Sequence, residues 1–234
     1  QKSEEGLEAR LIHQVGGTVT VKSSDDGLNA KDWTLESSEG QGPGQQTKTV
    51  KAEAANVKNL DQAGEVKIVI DGGTLTVDAE GDGLDANGSI EINGGTVVVN
   101  GPTSGANAAL DYDDNGKLNG GTVLFVDNGE MTMGFGSDSS QAFLMASVQG
   151  TAGTTVEVVD SSGKTVASLK ASKAFSTVLI SSPEIKEGEK YTIKVGSNST
   201  TATASKQTTN TGGRPGQGGP GGGQPGQGGR PGGR

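Results

Sequence analysis

Cysteine is absent from this chain of 234 residues, which excludes a disulfide framework, a thiolate metal site and a cysteine nucleophile. Histidine occurs once, at His13, so no Ser-His-Asp relay is credible; a lone strand histidine is packed or solvated. Aromatic residues make up 3% and hydrophobic residues 30%, too lean for a thick conventional core. No apolar run approaches the roughly 20 residues of a membrane-spanning helix, so membrane insertion is not expected. The chain opens on Gln1 rather than Met and carries no signal-peptide pattern, as expected of a mature product or a piece of a longer protein.

Glycine is what the chain has in excess: 41 residues, well above the roughly 7% of average usage. No Gly-X-Y period runs through it, so collagen is excluded. Residues 211–234 hold 13 Gly and 4 Pro and no acid, the composition of a low-complexity tail. Setting aside the tail's basic residues, Lys206, Arg214, Arg230 and Arg234, takes the formal charge from −9 for the whole chain to −13 over residues 1–204. Phosphate binding needs a basic face, so nucleic acid is not expected as a partner. A cation suits this balance better.

The remaining glycine is periodic. Gly-Gly-Thr recurs at 16–18, 72–74, 94–96 and 120–122, each time followed by alternating apolar residues: Val19/Val21, Leu75/Val77, Val97/Val99 and Val123/Phe125. A second block, x-Gly-Leu-x-Ala, precedes three of them at Glu5–Ala9, Asp26–Ala30 and Asp82–Ala86, with Ala108–Tyr112 a weaker fourth copy. An insertion of about 32–65 accounts for the one long spacing; without it the unit is about 22 residues, a solenoid-sized period.

Each unit reads as three short strands, Gly83–Ala86, Ser89–Ile92 and Thr96–Val99 in the cleanest copy, with Leu84, Ala86, Ile90, Ile92, Val97 and Val99 inward. Asn87-Gly88 and Asn93-Gly94-Gly95 supply corners able to take positive φ. The pattern predicts an all-β, right-handed parallel β-helix over 1–128. Helical periodicity is missing for α/β units, and propeller blades need about twice this period. The first unit begins almost at the chain start, which leaves an unpaired end and implies further upstream units, hence a monomer within a longer chain.

From 129 to 204 a lid and a small antiparallel β cap are expected. Met131–Val148 is the hydrophobic lid, and Thr155–Val159, Lys164–Leu169, Phe175–Ile180 and Tyr191–Val195 are the strands. Residues 205–234 read as a disordered tail.

Several stretches also resemble a known family: Asp-Asp-Gly-Leu-Asn-Ala (25–30), Ile-Asp-Gly-Gly-Thr-Leu-Thr-Val (70–77), Gly-Asp-Gly-Leu-Asp-Ala-Asn-Gly-Ser-Ile (81–90) and Gly-Gly-Thr-Val-Val-Val-Asn-Gly-Pro-Thr (94–103). Ala-Leu-Asp-Tyr-Asp (109–113), Ser-Lys-Ala-Phe…Val-Leu-Ile-Ser-Ser-Pro (172–183) and Lys-Tyr-Thr-Ile (190–193) continue the match. Over about residues 4–196 the chain resembles the bacterial carbohydrate-binding β-helix family related in fold to pectate and other polysaccharide lyases. The resemblance implies a secreted or surface-anchored protein that binds plant-wall (cellulosic) or acidic polysaccharide, with bound calcium, rather than a catalyst.

The residues offer matching chemistry. Between the inward Leu and Ala of each x-Gly-Leu-x-Ala block lies an outward residue, giving a column Glu8, Asn29, Asp85, Asp111 spaced by about 4.8 Å. Two carboxylates that close repel by roughly 3 kcal/mol at an effective dielectric near 20, and a hard cation such as calcium relieves this. A second acidic column, Glu5, Asp26 and Asp82 with Asp25 beside it, lies at the preceding corner; the alternative is that these acids cap corners and keep sheet faces apart.

Asp111-Tyr112-Asp113-Asp114-Asn115-Gly116 reproduces the first six positions of a calcium loop, although position twelve is Thr122 and no helices flank it. The expected calcium ligands are Asp111 and Asp113 with Asp114 or Asn115, and Asp26, Asp82 and Asp85 in the columns; the alternative is a polar corner. Trp33 either stacks on a sugar or anchors the insertion. Arg10 and Lys31, at equivalent positions of consecutive units, would form a basic patch beside Asn29 and Asp85 for acidic sugars. The function expected is noncatalytic carbohydrate binding. The alternatives are a β-eliminating polysaccharide lyase, with Arg10 or Lys31 as base, and an adhesin-like stalk.

Overall fold

Alternating apolar residues and glycine-bearing corners produce short strands throughout the residues that the computed structural model describes, 3–32 and 65–207. Among them there is no helix, and so none long and apolar enough to cross a membrane. The chain is all-β, and its first twelve strands come three to a repeat. The first repeat gives β1 (Leu7–Ala9), β2 (Leu11–Gln14) and β3 (Thr18–Lys22). The second gives β4 (Leu28–Ala30), β5 (Lys67–Ile70) and β6 (Thr74–Asp78). The third gives β7 (Leu84–Ala86), β8 (Ser89–Ile92) and β9 (Thr96–Asn100). The fourth gives β10 (Leu110–Tyr112), β11 (Asn115–Leu118) and β12 (Thr122–Asp127).

Every third strand enters the same parallel sheet. The first sheet runs β1-β4-β7-β10, the second β2-β5-β8-β11, and the third contains β3-β6-β9-β12. The register places like residue on like residue: Leu7, Leu28, Leu84 and Leu110 are direct neighbours in the first sheet. Leu11↔Lys67 and Lys67↔Ser89 show that the chain returns to register after the insertion, whose residues 33–64 lie outside the described ones.

The three sheets face one core. Leu28, Ala30, Leu84 and Ala86 meet Ile68, Ile70, Ile90 and Ile92 and Leu75, Val77, Val97 and Val99, all at most 2% exposed. Leu7, in the same register, is 43% exposed because β1 has a neighbour on one side alone. At the other end Phe135 stands edge-on between Phe125 and Phe143, ring centroids 5.8 Å apart in both pairs, as a lid over the last repeat.

Past the lid the chain is antiparallel. β13 (Leu144–Gly150) and β16 (Phe175–Ser181) extend the third sheet beyond β12, with Val126↔Val178 and Ala146↔Val178 in register. A separate sheet, β15-β14-β17-β18, is built from β14 (Thr155–Val159), β15 (Thr165–Lys170), β17 (Lys190–Val195) and β18 (Asn198–Thr203). A second core, including Leu124, Val126, Leu144, Val156, Val158, Val178, Ile180 and Ile193, lies between them. The cap is thus two sheets rather than one, because Phe175–Ser181, buried on both faces, pairs with β12 and β13 instead of with β14, β15, β17 or β18. Strand pairing reaches Ser205, which exchanges backbone hydrogen bonds with Phe143 at 2.9 and 3.0 Å. The rest of the expected tail, 208–234, lies outside the described residues.

Candidate functional site

In the first sheet the block x-Gly-Leu-x-Ala turns a corner so tight that glycine is required. A Cβ on Gly6, Gly27 or Gly83 would strike the next repeat's carbonyl and a valine of the third sheet. With Leu and Ala inward, the outward residues stand in a line: Glu8↔Asn29, Asn29↔Asp85 and Asp85↔Asp111 are direct register partners.

The corner acids are partly spent on the backbone. Asp26 Oδ1 accepts the N–H of Asp82 at 2.8 Å, and Asp82 Oδ1 accepts the N–H of Ala108 at 2.5 Å. Asn29, 4% exposed, donates Nδ2 to Asp26 Oδ2 at 3.2 Å, while its Oδ1 and Glu5 Oε2 are buried with no hydrogen-bond partner. Burial, then the charges of Asp26, Asp25 and Glu8, pushes the Glu5 carboxyl up to about 7. Burial, then Asp26, Asp82, Asp111 and Asp113, pushes Asp85 up to about 7. Asp82 rises to about 6, chiefly by burial, against the opposing hydrogen bond from Ala108, and burial also raises Asp26. This side of the first sheet therefore concentrates carboxyls that hold protons near neutrality.

Of the two residues of the expected basic patch, Lys31 pairs with Glu8, its Nζ 2.7 Å from Oε1, and Arg10 is exposed. Asn87 and Asp113 follow in the same corner register, through Asn87 N–H to Ala30 O and Asp113 N–H to Ala86 O. Trp33 lies outside the described residues.

The segment shaped like a calcium loop is a strand corner. Asp111 belongs to β10 and faces Asp85, while the Asp113 and Asp114 N–H groups bond Ala86 and Gly88 carbonyls. Asp113 lies 3.5 Å from Asn87 Nδ2, and Asn115 donates to Asp138 at 2.9 Å. Gly116 has its own reason: a Cβ there would strike the Tyr112 ring, which folds over it and donates its hydroxyl to Gly134 O at 2.7 Å. Burial pushes the Tyr112 phenol up to about 12. Among the described residues no three His, Asp or Glu side chains already converge as metal ligands.

A polar ladder at the corner before the Gly-Gly pairs was missed by sequence reasoning. His13 Nε2 lies 2.7 Å from Asp71 Oδ2, Asn93 Nδ2 donates to Asp71 Oδ1 at 2.8 Å, and Asn119 Nδ2 donates to Asn93 Oδ1 at 2.8 Å. Burial alone would raise the Asp71 carboxyl, yet the Asn93 and His13 bonds hold it below its ordinary value. Its signal was visible in the Asp or Asn before three of the four Gly-Gly-Thr triplets.

Compared with protein-family models, with curated proteins and with solved structures, the chain matches none.

Proposed function

We propose that the chain is a noncatalytic, extracellular carbohydrate-binding protein whose three sheets are the sides of a right-handed parallel β-helix. The shared core, the every-third-strand pairing and the residue-on-residue register support that architecture. The ligand proposed is a plant-type or acidic polysaccharide, held with calcium.

The observation that carries this reading is the pair of acidic columns with two buried, unpartnered oxygens, Asn29 Oδ1 and Glu5 Oε2. Glu5, Asp26, Asn29, Asp82 and Asp85 offer oxygen ligands alone, the donor set of a hard cation, and their protons are ones a cation displaces. They fit calcium in kind, and binding has to draw them together. Asp111, Asp113, Asp114 and Asn115 offer oxygens too, but none of theirs is buried without a partner, so the reading rests on the columns. Bound calcium would neutralise the columns and bridge to uronate carboxylates. Lys31 and Asp85 then flank the sugar, with Lys31 already tied to Glu8 and so poorly placed as a base for β-elimination.

The test is a pull-down on polygalacturonate, cellulose and a neutral soluble glucan, with and without chelator, while unsaturated product is monitored by absorbance. Chelator-sensitive retention on polygalacturonate without product is the expected outcome. Product release moves the reading to a lyase, and no retention on any glycan moves it to a structural stalk.

A further inference from the structure

The third sheet carries a surface of different chemistry from the acidic columns. With Val19, Val21, Leu75, Val77, Val97 and Val99 turned inward, alternation turns the threonines out. Thr18, Thr74, Thr96 and Thr122 are successive register partners, and Thr20 pairs with Thr76. The hydroxyls thus repeat at about 4.8 Å across strands and about 6.6 Å along them. None of the six is engaged in a hydrogen bond among the described residues.

The second outward position changes along the sheet, from Thr20 and Thr76 to Val98 and Leu124. Val98 and Leu124 pack into the cap's core, so the sheet is apolar where the cap covers it and hydroxylated where it does not. The charges at the third outward position, Lys22 and Asp78, are 3.3 Å apart, and Lys173, 3.1 Å from Asp78, is in turn 3.4 Å from Glu80, so each is paired. Beside the threonines each repeat turns through Gly-Gly, so no side chain separates them from the Asp71, Asn93 and Asn119 ladder.

We propose that this side of the third sheet docks an uncharged, hydroxyl-rich glycan without calcium; the inference rests on the carbohydrate-binding reading above and adds a second face to it. Hydroxyls and amides that both give and accept hydrogen bonds complement a neutral polymer of hydroxyls at regular spacing. Among the described residues a polyanion finds no unpaired positive charge here: Lys22 and Lys173 both lie against Asp78, and His13 against Asp71. A protein partner finds neither an aromatic nor an arginine anchor on the face.

The test compares the whole chain with a Thr20→Val/Thr74→Val/Thr76→Val variant, which keeps β-branched shape and removes three hydroxyls. Binding to an insoluble neutral β-glucan is measured in chelator, and to polygalacturonate in calcium. At least tenfold weaker glucan binding, with polygalacturonate binding and Tm unchanged, is expected. Equal glucan binding by the variant overturns the proposal. Wild type that holds polygalacturonate but not glucan overturns it and leaves the acidic-column reading standing, whereas failure on both glycans removes both. Inhibition of ice recrystallisation that the variant loses, with glucan unbound, assigns the hydroxyl lattice to ordered water and also overturns it.

Discussion

Asp26 and Asp82 hold the same corner position in consecutive repeats, and the carboxylate of the first caps the backbone N–H of the second at 2.8 Å. Asp82 repeats the device on Ala108 at 2.5 Å. One residue type therefore fastens each corner to the next while crowding negative charge along the first sheet. Asp82→Ala removes the acceptor and leaves a buried N–H unpaired, which costs about 1–3 kcal/mol. Asp82→Asn keeps an acceptor and removes the charge, so urea denaturation at pH 8 is expected to find it the more stable of the two variants.

Stability is expected to rise as the solution is acidified from pH 8 to pH 5. Glu5 and Asp85 have folded-state values raised to about 7 and Asp82 to about 6, above their ordinary 4.5 and 3.8. The folded chain then binds more protons than the unfolded one between about pH 4 and 7. The stabilisation is full below the ordinary values and is lost as pH climbs through the raised ones. Melting temperature against pH, compared with a Glu5→Gln/Asp85→Asn variant, measures this; the variant's profile should be flatter over that window.

The repeat was legible because glycine, apolar alternation and the Gly-Gly-Thr triplet all recur at one period, and the register of Leu7, Leu28, Leu84 and Leu110 follows from it. The outward column Glu8, Asn29, Asp85 and Asp111 was legible for the same reason. The cap was less so. β18, Asn-Ser-Thr-Thr-Ala-Thr, has no apolar alternation, since its hold is the ladder to β17. The pairing of β16 with β12 joins residues some fifty positions apart and leaves no local mark. Gly116, the sharp-turn glycine of the calcium-loop pattern, also answers to the Tyr112 ring, a contact that leaves no local mark in the sequence.

That contact yields a non-additive pair. Gly116→Ala forces its methyl against Tyr112 and should destabilise by about 1–3 kcal/mol, the usual cost of overpacking. With Tyr112→Ala already in place the same substitution should cost markedly less. A double-mutant cycle by denaturant titration checks this, and equal costs in both backgrounds would place the clash elsewhere.

Lys173 fastens the cap to the repeats. Its ammonium donates to Ala79 O at 2.5 Å and lies 3.1 Å from Asp78 and 3.4 Å from Glu80, with its side chain 12% exposed. Next to it, Ser172 N–H donates to Asn100 Oδ1 at 2.7 Å. Lys173→Met keeps the stem packed but removes the cation shared by the Ala79 carbonyl, Asp78 and Glu80, of which Asp78 keeps Lys22. A loss of about 1–3 kcal/mol is expected, with earlier hydrogen exchange in β16 than in β7.

The two candidate calcium sets separate by substitution. Asp111→Asn/Asp113→Asn leaves the buried, unpartnered oxygens of Glu5 and Asn29 in place, so calcium-induced gain in Tm should persist in that variant. Glu5→Gln/Asp85→Asn removes the two carboxyls raised to about 7 and should abolish most of that gain. Thermal melts in chelator and in millimolar calcium decide between them. The reverse pattern would move the cation to the strand corner at 111–115, and equal melts for wild type in both conditions would remove calcium from the first sheet altogether.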